Sequence, residues 1–291
     1  MAPTNKTMSL TGFTYEKNNF TSLVDFENHP EAYHKMMKFI NGCKLSHAIL
    51  VAPTIYCEVV EEVWTSSVFD SENITLTFNL KGKEHIINAD IVTTCLRLPE
   101  NNCLENHTDN NIVTMLNSIN YAKETVNLGK IQRKGMIKEW SFFCDAFIKV
   151  FSGKISNWDD VTTSMFDMIY MLLNDRYYDL GSMILIELAA KLGHKESRSQ
   201  NIYFVRFIML LANHVDKDIK IEFPANKMDC WVQNKRFFED LNRMNLNNTM
   251  ELRYLPIIKA FQVTTTTTPT ATSQPLTSLI SSATMEAGNV P

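Results

Sequence analysis

The stretch ITLTFNLKGKEHIINADIVTTCLRLP, residues 74–99, decides the fold of the middle of this chain. Apolar and polar residues alternate over 74–80, which predicts a strand with one buried face. A Lys-Gly-Lys triplet follows at 81–83, and its glycine tolerates the positive φ of a tight turn, so residues 84–88 are expected to return as the partner strand. Asp90 can then cap a helix. The stretch predicts an antiparallel β-hairpin followed by a helix.

Helical periodicity accounts for most of the remaining chain. Apolar residues recur at helical spacing on both sides of the hairpin, which predicts a series of helices. The predicted helical segments are residues 30–42, 54–69, 113–121, 135–153, 156–174, 178–193, 199–215 and 230–244. The segment 199–215 is apolar on nearly all sides and is expected to be the central buried helix. The predicted fold class is mainly α (α+β), a multi-helix globular domain with one small antiparallel β-hairpin.

Composition divides the chain of 291 residues into three parts. Residues 1–20 are expected to be a loose lead-in, and residues 21–261 a single mainly helical domain. Residues 262–291 are rich in Thr, Ser and Pro and offer no periodic apolar face. Such a segment cannot bury enough apolar surface to offset its ordering entropy, so it is expected to be a disordered tail that is dispensable for folding.

The net charge of the chain is -4 and its pI is about 6.0. This balance argues against a sequence-wide electrostatic attraction to nucleic acid, which needs a basic domain, but it allows a local basic patch. No apolar run has the length of a signal-peptide core or a membrane span. The six cysteines form no Cys-x-x-Cys pair, which indicates buried free thiols in a reducing compartment. We therefore expect a soluble intracellular protein, cytoplasmic or nuclear and not secreted.

The sequence contains no recognisable catalytic or cofactor-binding motif. It has no phosphate-binding glycine loop, no Gly-x-Ser-x-Gly and no Cys-His nucleophile signature. His29 and His34 have the spacing of a His pair, yet no cysteine pair follows to complete a zinc site, so a solvated helix entry is the favoured interpretation. Asp159 and Asp160 are adjacent, and the natural role of such residues before a helix is capping. We expect no cofactor, no metal ion and no enzymatic activity.

A local basic cluster is the best candidate for contact with nucleic acid. It lies at the start of the helix predicted at 135–153, whose free amides and dipole would add to the attraction for a phosphate. The candidate contacts are Lys130, Arg133, Lys134 and Lys138, together with Lys81 and Lys83 at the turn of the hairpin. The alternative interpretation is a solvated connector whose charges only aid solubility, beside a hairpin that serves as scaffold.

Arg206 stands inside the apolar run YFVRFIMLL and is expected to be at least partly buried. A buried charge without a partner is costly, so the favoured interpretation is an ion pair with an acidic residue of a neighbouring helix, Glu187 or Asp179. The alternative interpretation is an anion-binding residue in a pocket.

Four segments, in this order, carry a resemblance to a known family. They are HPEAYHKMMKFINGCKLSHAILVAPTIYCEVVEEVWTSS (residues 29–67), the opening stretch 74–99, KEWSFFCDAFIKVFSGKISNWDDVTTSMFDMIYMLLN (138–174) and YFVRFIMLLANHV (203–215). In pattern and order they resemble the plant transposon protein domain, a module of transposon- and retrotransposon-derived open reading frames of flowering plants. The resemblance covers most of residues 20–255. It implies origin in a mobile element, often in a gag-like position upstream of polymerase regions, and it carries over no catalytic residues.

Three functions are consistent with the sequence. The leading hypothesis is a non-enzymatic, mobile-element-derived interaction or assembly protein whose partners are copies of itself or other element-encoded proteins. The second is a nucleic-acid-binding module that uses the basic loop and the β-hairpin. The third is a degenerate transposase or nuclease that retains scattered carboxylates. No membrane partner is expected.

Overall fold

Helices form most of the chain that the structure describes. The structure is a computed structural model, and it describes residues 7–8, 12–22, 31–103, 107–121, 128, 131–192, 200–219 and 226–233. Its helices are α1 (Glu31–Gly42), α2 (Ser46–Leu50), α3 (Cys57–Ser66), α4 (Ala89–Leu96), α5 (Asp109–Ser118), α6 (Lys138–Phe151), α7 (Thr163–Asn174), α8 (Leu180–Leu192) and α9 (Val205–Val215). Its strands are β1 (Thr7–Met8), β2 (Thr14–Tyr15), β3 (Ile55–Tyr56), β4 (Val68–Asp70), β5 (Thr75–Leu80), β6 (Lys83–Ile87), β7 (Ile131–Gln132), β8 (Asp160–Val161), β9 (Asn201–Ile202) and β10 (Lys227–Met228). The predicted mainly helical α+β fold class is confirmed.

The predicted hairpin is confirmed as part of a three-stranded antiparallel sheet, here called the ribbon, in the order β4-β5-β6. β5 and β6 stay in register up to the pair of Leu80 and Lys83 beside the turn. Both central residues of the turn have positive φ, 53° at Lys81 and 71° at Gly82. This is the two-residue geometry whose twist matches that of paired strands.

The third strand of the ribbon replaces the end of a predicted helix. The helix predicted over 54–69 is shorter, because Ser67 leaves the helical conformation with a ψ of 134°. The three residues of β4 then pair with β5. Val68 and Phe69 are β-branched and aromatic residues that suit a strand as well as a helix face. Pairing with β5 therefore decides their conformation.

Two helix starts differ from the sequence prediction. Asn88, rather than Asp90, caps α4, because its side chain accepts a hydrogen bond from a first-turn amide at 3.0 Å. Thr162, rather than Asp159 or Asp160, is the capping residue of α7. In both cases a short polar side chain directly before the first helical residue satisfies a free amide.

The helix α9, which the sequence predicts to be buried, lies largely in the core. Residues 205–209 are all buried, and the helix packs against α3, α4 and β3. α6 is buried on every side, since residues 142–151 are all buried. Its sequence shows one strong apolar stripe, so a further part of the chain must cover the opposite face.

The N-terminal segment, residues 12–22, covers part of the face of α6 that lies opposite its apolar stripe. The sequence predicts a loose lead-in up to residue 20, and the structure corrects this boundary: Tyr15 and Phe20 are only 2% and 8% exposed. β2 pairs in parallel with β9, and the amide of Phe20 donates to the carbonyl of Lys149 on α6 at 2.9 Å. Backbone hydrogen bonds fix the position of the segment, and such bonds produce no periodic pattern of residue types in the sequence.

Residues 226–233 add a second extended piece. β10 pairs with β3, and the amide of Gln233 donates to the carbonyl of Thr21 at 2.9 Å. The helix predicted at 230–244 is therefore replaced at its beginning by extended chain. The rest of that helix and the predicted tail, residues 262–291, lie outside the described residues.

Candidate functional site

The outer face of the ribbon exposes a row of three side chains with a large apolar residue at each end. Val68 on β4 and Ile86 on β6 lie opposite the same residue of β5, Thr77. Val68 is 67% exposed and Ile86 is 58% exposed, the two highest values among large apolar side chains in the described chain. Directly opposed residues of antiparallel strands lie ~5 Å apart at Cβ. The three side chains therefore form one continuous row, here called the ribbon face.

The inner face of the ribbon holds this row in place. Leu76, Phe78 and Leu80 of β5 are buried, and α3 packs against their strand. The turn is tied to the same helix, because the amide of Lys81 donates to Glu62 Oε1 at 2.8 Å. The ribbon face is thus presented by a rigid element with one side in the core.

The ribbon also has an open edge at β6. No strand of the described residues pairs with the outer side of β6. Its first two residues, Lys83 and Glu84, are charged and exposed, which limits non-specific pairing at an edge. Ile86 lies further along the same strand on the outer face, and it carries no charge that would limit pairing. An edge with free backbone groups beside an apolar row can accept a further strand.

The two lysines of the turn have different surroundings. Lys81 Nζ lies 2.8 Å from a carboxylate oxygen of Asp216, and its hydrogen bond is the main cause that holds the pKa of Asp216 below its ordinary value. Lys83 is exposed. Because Asp216 offsets the positive charge at the turn, the hairpin is a weaker candidate for a phosphate contact than its sequence suggests.

Arg133 belongs to an ion network inside the protein. Its guanidinium lies 2.7 Å from Asp145, which also contacts Lys149 and Gln233, both at 2.8 Å. The side chain of Asp145 is 1% exposed. A second contact of Arg133 reaches the exposed Asp159 at 3.2 Å. A carboxylate this deeply buried requires cationic partners, so Arg133 serves the fold. These contacts weaken Arg133 as a candidate for nucleic-acid contact, and its predicted role in such a contact stays a prediction.

The rest of the predicted basic cluster is small. Lys134 is exposed, Lys138 is half-buried at the start of α6, and Lys130 lies outside the described residues. Gly135 packs so closely on the ring of Tyr121 that a Cβ would lie 2.7 Å from a ring carbon. Packing, rather than flexibility, therefore requires glycine in this segment. Two lysines remain as described candidates for a phosphate contact here.

Arg206 is completely buried, with 0% exposure. Its guanidinium donates to the backbone carbonyls of Asn19 at 3.1 Å and Val51 at 2.9 Å. The predicted ion pair with Glu187 or Asp179 is not formed. Glu187 accepts from the hydroxyl of Ser164 at 3.2 Å, and Asp179 accepts from the backbone amide of Ser182 at 3.0 Å. Burial lowers the pKa of Arg206 to about 9. Backbone carbonyls solvate the group without neutralising its charge.

A cluster of aromatic and titratable side chains that the sequence does not predict lies near α5 and α7. The ring of His107 lies 4.2 Å from that of Tyr170 and 5.1 Å from that of Tyr178, measured between centroids. Burial, and then the negative charge of Asp109, raise the pKa of Asp167 to about 6. These residues come from separate parts of the sequence, so no local motif indicates them. The raised pKa of Asp167 predicts that the free energy of unfolding depends on pH.

Metal and thiol chemistry have no support in the described chain. No group of three or more His, Cys, Asp or Glu side chains is arranged there to hold a metal ion. All six cysteines are free. Burial raises the pKa of Cys43, Cys95 and Cys144 to about 12, which keeps these thiols protonated at neutral pH. In the same part of the chain, no helix combines the length and apolar character needed to cross a bilayer.

The exposed apolar features are thus most pronounced on the ribbon, whereas Arg133, Lys81 and Arg206 are engaged in internal contacts. The ribbon face and the edge of β6 are therefore the candidate functional surface. Comparisons of the chain with family models, with curated proteins and with solved structures find no match.

Proposed function

We propose that this chain is a non-enzymatic interaction or assembly module that associates with a second copy of itself through the ribbon. The observation that supports this most is the ribbon face, with Val68 and Ile86 exposed by 67% and 58%. Apolar surface in water costs roughly 25 cal/mol per Å². We therefore take the ribbon face as the candidate surface for contact with a partner.

The open edge of β6 supplies the geometry of the association. Antiparallel pairing of β6 with the β6 of a second copy is isologous, because the same strand lies on both sides of the interface. Such pairing joins two ribbons into one sheet. It places both ribbon faces on the same side of that sheet and brings the two Ile86 side chains near the symmetry axis.

The origin of the chain in a plant mobile element is part of the proposal and rests on the resemblance of the sequence to the plant transposon protein domain. A gag-like position in such an element calls for a protein that assembles. Self-association through the ribbon agrees with that role. Other element-encoded proteins are the second class of partner, and the site of action is inside the cell.

A second candidate function is nucleic-acid binding. It is supported by the exposed Lys134 and Lys83 and by the half-buried Lys138 at a helix start. It is weakened by the internal contacts of Arg133 and Lys81. For a degenerate transposase or nuclease, the third hypothesis, we find no favourable observation among the described residues.

Light scattering of the full chain over a wide range of protein concentration tests the proposal. Wild type is expected to grow from monomer to dimer or larger species. Ile86→Lys and Val68→Lys place a charge in the ribbon face and are expected to keep the protein monomeric at the same concentrations. The matched control is Ile155→Lys, since Ile155 is 40% exposed and lies outside the ribbon.

Two results would count against self-association. One is a wild type that stays monomeric at every concentration, and the other is assembly of both ribbon variants to the same extent as wild type. Repeating the measurement with RNA and DNA separates the second candidate function. Assembly that occurs only with nucleic acid, and that falls steeply with salt, would favour nucleic-acid binding instead.

A further inference from the structure

The backbone groups on the open edge of β6 can be identified from the hydrogen bonds of the neighbouring strand. The amide of Asn79 on β5 donates to Ser66 Oγ at 2.9 Å, and the carbonyl of Asn79 accepts from the same hydroxyl at 3.1 Å. The backbone groups of Asn79 therefore point away from Glu84, the residue opposite it on β6. Bonded and non-bonded pairs alternate along an antiparallel ladder, so the amides and carbonyls of both Glu84 and Ile86 face the open edge.

This edge continues to the start of α4 and carries opposite charges at its two ends. Asn88 has extended backbone angles, with a φ of -110° and a ψ of -179°, so the strand conformation reaches the helix. Lys83 lies at the turn end of the edge and Asp90 at the helix end, and both side chains are exposed. The other lysine of the turn, Lys81, is already engaged with Asp216. Lys83 therefore supplies the positive charge that a partner at this edge would meet.

A second copy of β6 can pair with this edge in few registers. An isologous antiparallel pair places one residue opposite itself across the two-fold axis, because paired side chains must lie on the same face of the sheet. A register centred on Glu84 would oppose two carboxylates, and like charges directly opposite each other are destabilising. A register centred on His85 would set the charged Glu84 against Ile86, and a register shifted beyond Ile86 would bring Glu84 against α4. The register centred on Ile86 pairs two isoleucines and sets Glu84 against the polar Asn88.

We propose that two copies of the chain pair along β6 in the register centred on Ile86, and that Lys83 of each copy contacts Asp90 of the other. This inference rests on the proposed function, because it requires β6 to pair with β6. An antiparallel partner runs in the opposite direction, so the positive end of one edge meets the negative end of the other. In this register Lys83 lies opposite residue 89, and its long side chain can reach the carboxylate of the next residue, Asp90. The two-fold axis forms this contact twice.

Charge reversal on each side of this contact tests the proposal. Lys83→Glu brings two negative groups together at both contacts, and Asp90→Lys brings two positive groups together. Sedimentation equilibrium of the full chain at low ionic strength gives the dissociation constant of the dimer, which each variant alone is expected to raise by ~10-fold. A mixture of the two variants is expected to associate to within ~3-fold of wild type, because a heterodimer has opposite charges at both contacts again. The double variant Lys83→Glu/Asp90→Lys restores opposite charges within one chain and is also expected to associate like wild type.

The matched control is Lys134→Glu, which makes the same charge change at an exposed lysine outside the ribbon and is expected to associate like wild type. Recovery in the mixture also shows that both single variants are folded, because an unfolded chain cannot be rescued by its partner.

The outcomes separate this inference from the proposed function. If Ile86→Lys prevents association but neither charge reversal weakens it, the register is wrong and association through the ribbon stands. The register is also wrong if both reversals weaken association and neither the mixture nor the double variant recovers it. A wild type that stays monomeric at every concentration would overturn both the register and the proposed function.

Discussion

The ribbon and the contact between the N-terminal segment and α9 differ in how far apart their partners lie in the sequence. In the ribbon, Leu80 pairs with Lys83 across a two-residue turn. At the start of α9, Asn19 bonds to partners 131 and 188 residues away. The ribbon is local and exposes an apolar row, whereas the N-terminal contact is remote, buried and polar. The proposed interaction surface thus lies on a locally determined element, and we expect long-range polar contacts to contribute to the stability of the protein.

The comparison predicts two separable classes of variant. Substitutions in the buried polar contacts should lower the free energy of unfolding without changing the outer surface. Substitutions in the ribbon face should change association and leave the free energy of unfolding nearly constant.

The largest loss of stability is expected from Asp145→Ala. This change leaves Arg133 and Lys149 without their shared carboxylate in a buried site, and breaking a buried ion pair from one side costs ~3–5 kcal/mol. Chemical denaturation gives the free energy of unfolding. The matched control is Asp159→Ala, because Asp159 contacts the same arginine with a side chain that is 70% exposed. Its expected cost is below ~1 kcal/mol, and equal costs for the two variants would contradict the assignment of the buried network.

A smaller loss is expected from Asn19→Ala. The variant leaves the Val150 carbonyl and the Phe207 amide without their partner, at ~1 kcal/mol for each, because a neutral group left unsatisfied costs less than a charged one. Asn120→Ala is the control, since Asn120 shares the positive φ, 54° against 53° at Asn19, but is exposed. If both variants unfold at the same denaturant concentration, backbone strain rather than the buried bonds explains the effect.

Asp167 should make stability depend on pH. Its folded-state pKa of about 6 lies above the ordinary value of 3.8, so the protonated form favours folding. This contribution is complete below the lower value and is lost as the pH rises through the higher one. Asp167→Asn should therefore raise the free energy of unfolding at neutral pH by ~1–2 kcal/mol and flatten the pH profile. Asp90→Asn, at an exposed carboxylate, provides the baseline. A pH profile of Asp167→Asn identical to wild type would show that Asp167 does not titrate in this way.

The smallest effect is expected at the ribbon turn. A Cβ at Gly82 would meet no atom within 4 Å, so Gly82→Ala tests only the cost of its φ of 71°, ~1 kcal/mol. Gly42 also has open space but lies in α1 without positive φ. Gly42→Ala should therefore be neutral or slightly stabilising. The thermal midpoint of Gly82→Ala should fall, whereas that of Gly42→Ala should stay or rise. An equal fall in both variants would contradict the turn geometry.

The sequence predicted the hairpin because its information is local. Alternation and a Gly-containing turn are both contained in residues 74–88. The sequence also indicates that an isoleucine is exposed on this strand. Ile86 and Ile87 are adjacent, and neighbouring side chains of a strand lie on opposite faces, so one of the two has to point outward. The third strand had no such signal, because Val68 and Phe69 fit a helix and a strand equally well.

The buried polar contacts could not be predicted for a physical reason. The burial of Arg206 follows from its apolar neighbours, but its partners are backbone carbonyls, which every residue carries. Arg133 seemed free because the residues around it are basic. Its carboxylate, Asp145, lies inside α6, and extended segments from both ends of the described chain shield that helix. Only the folded arrangement reveals these contacts.

Hydrogen exchange of residues 83–87 as a function of protein concentration tests the ribbon as an assembly surface most directly. Association along the edge of β6 should give its outward amides new acceptors, so their exchange should slow as the concentration rises. Exchange in α9 should not change over the same range. Exchange of residues 83–87 that is the same in dilute and concentrated solution, or slowing confined to other parts of the chain, would contradict the proposed role of the ribbon.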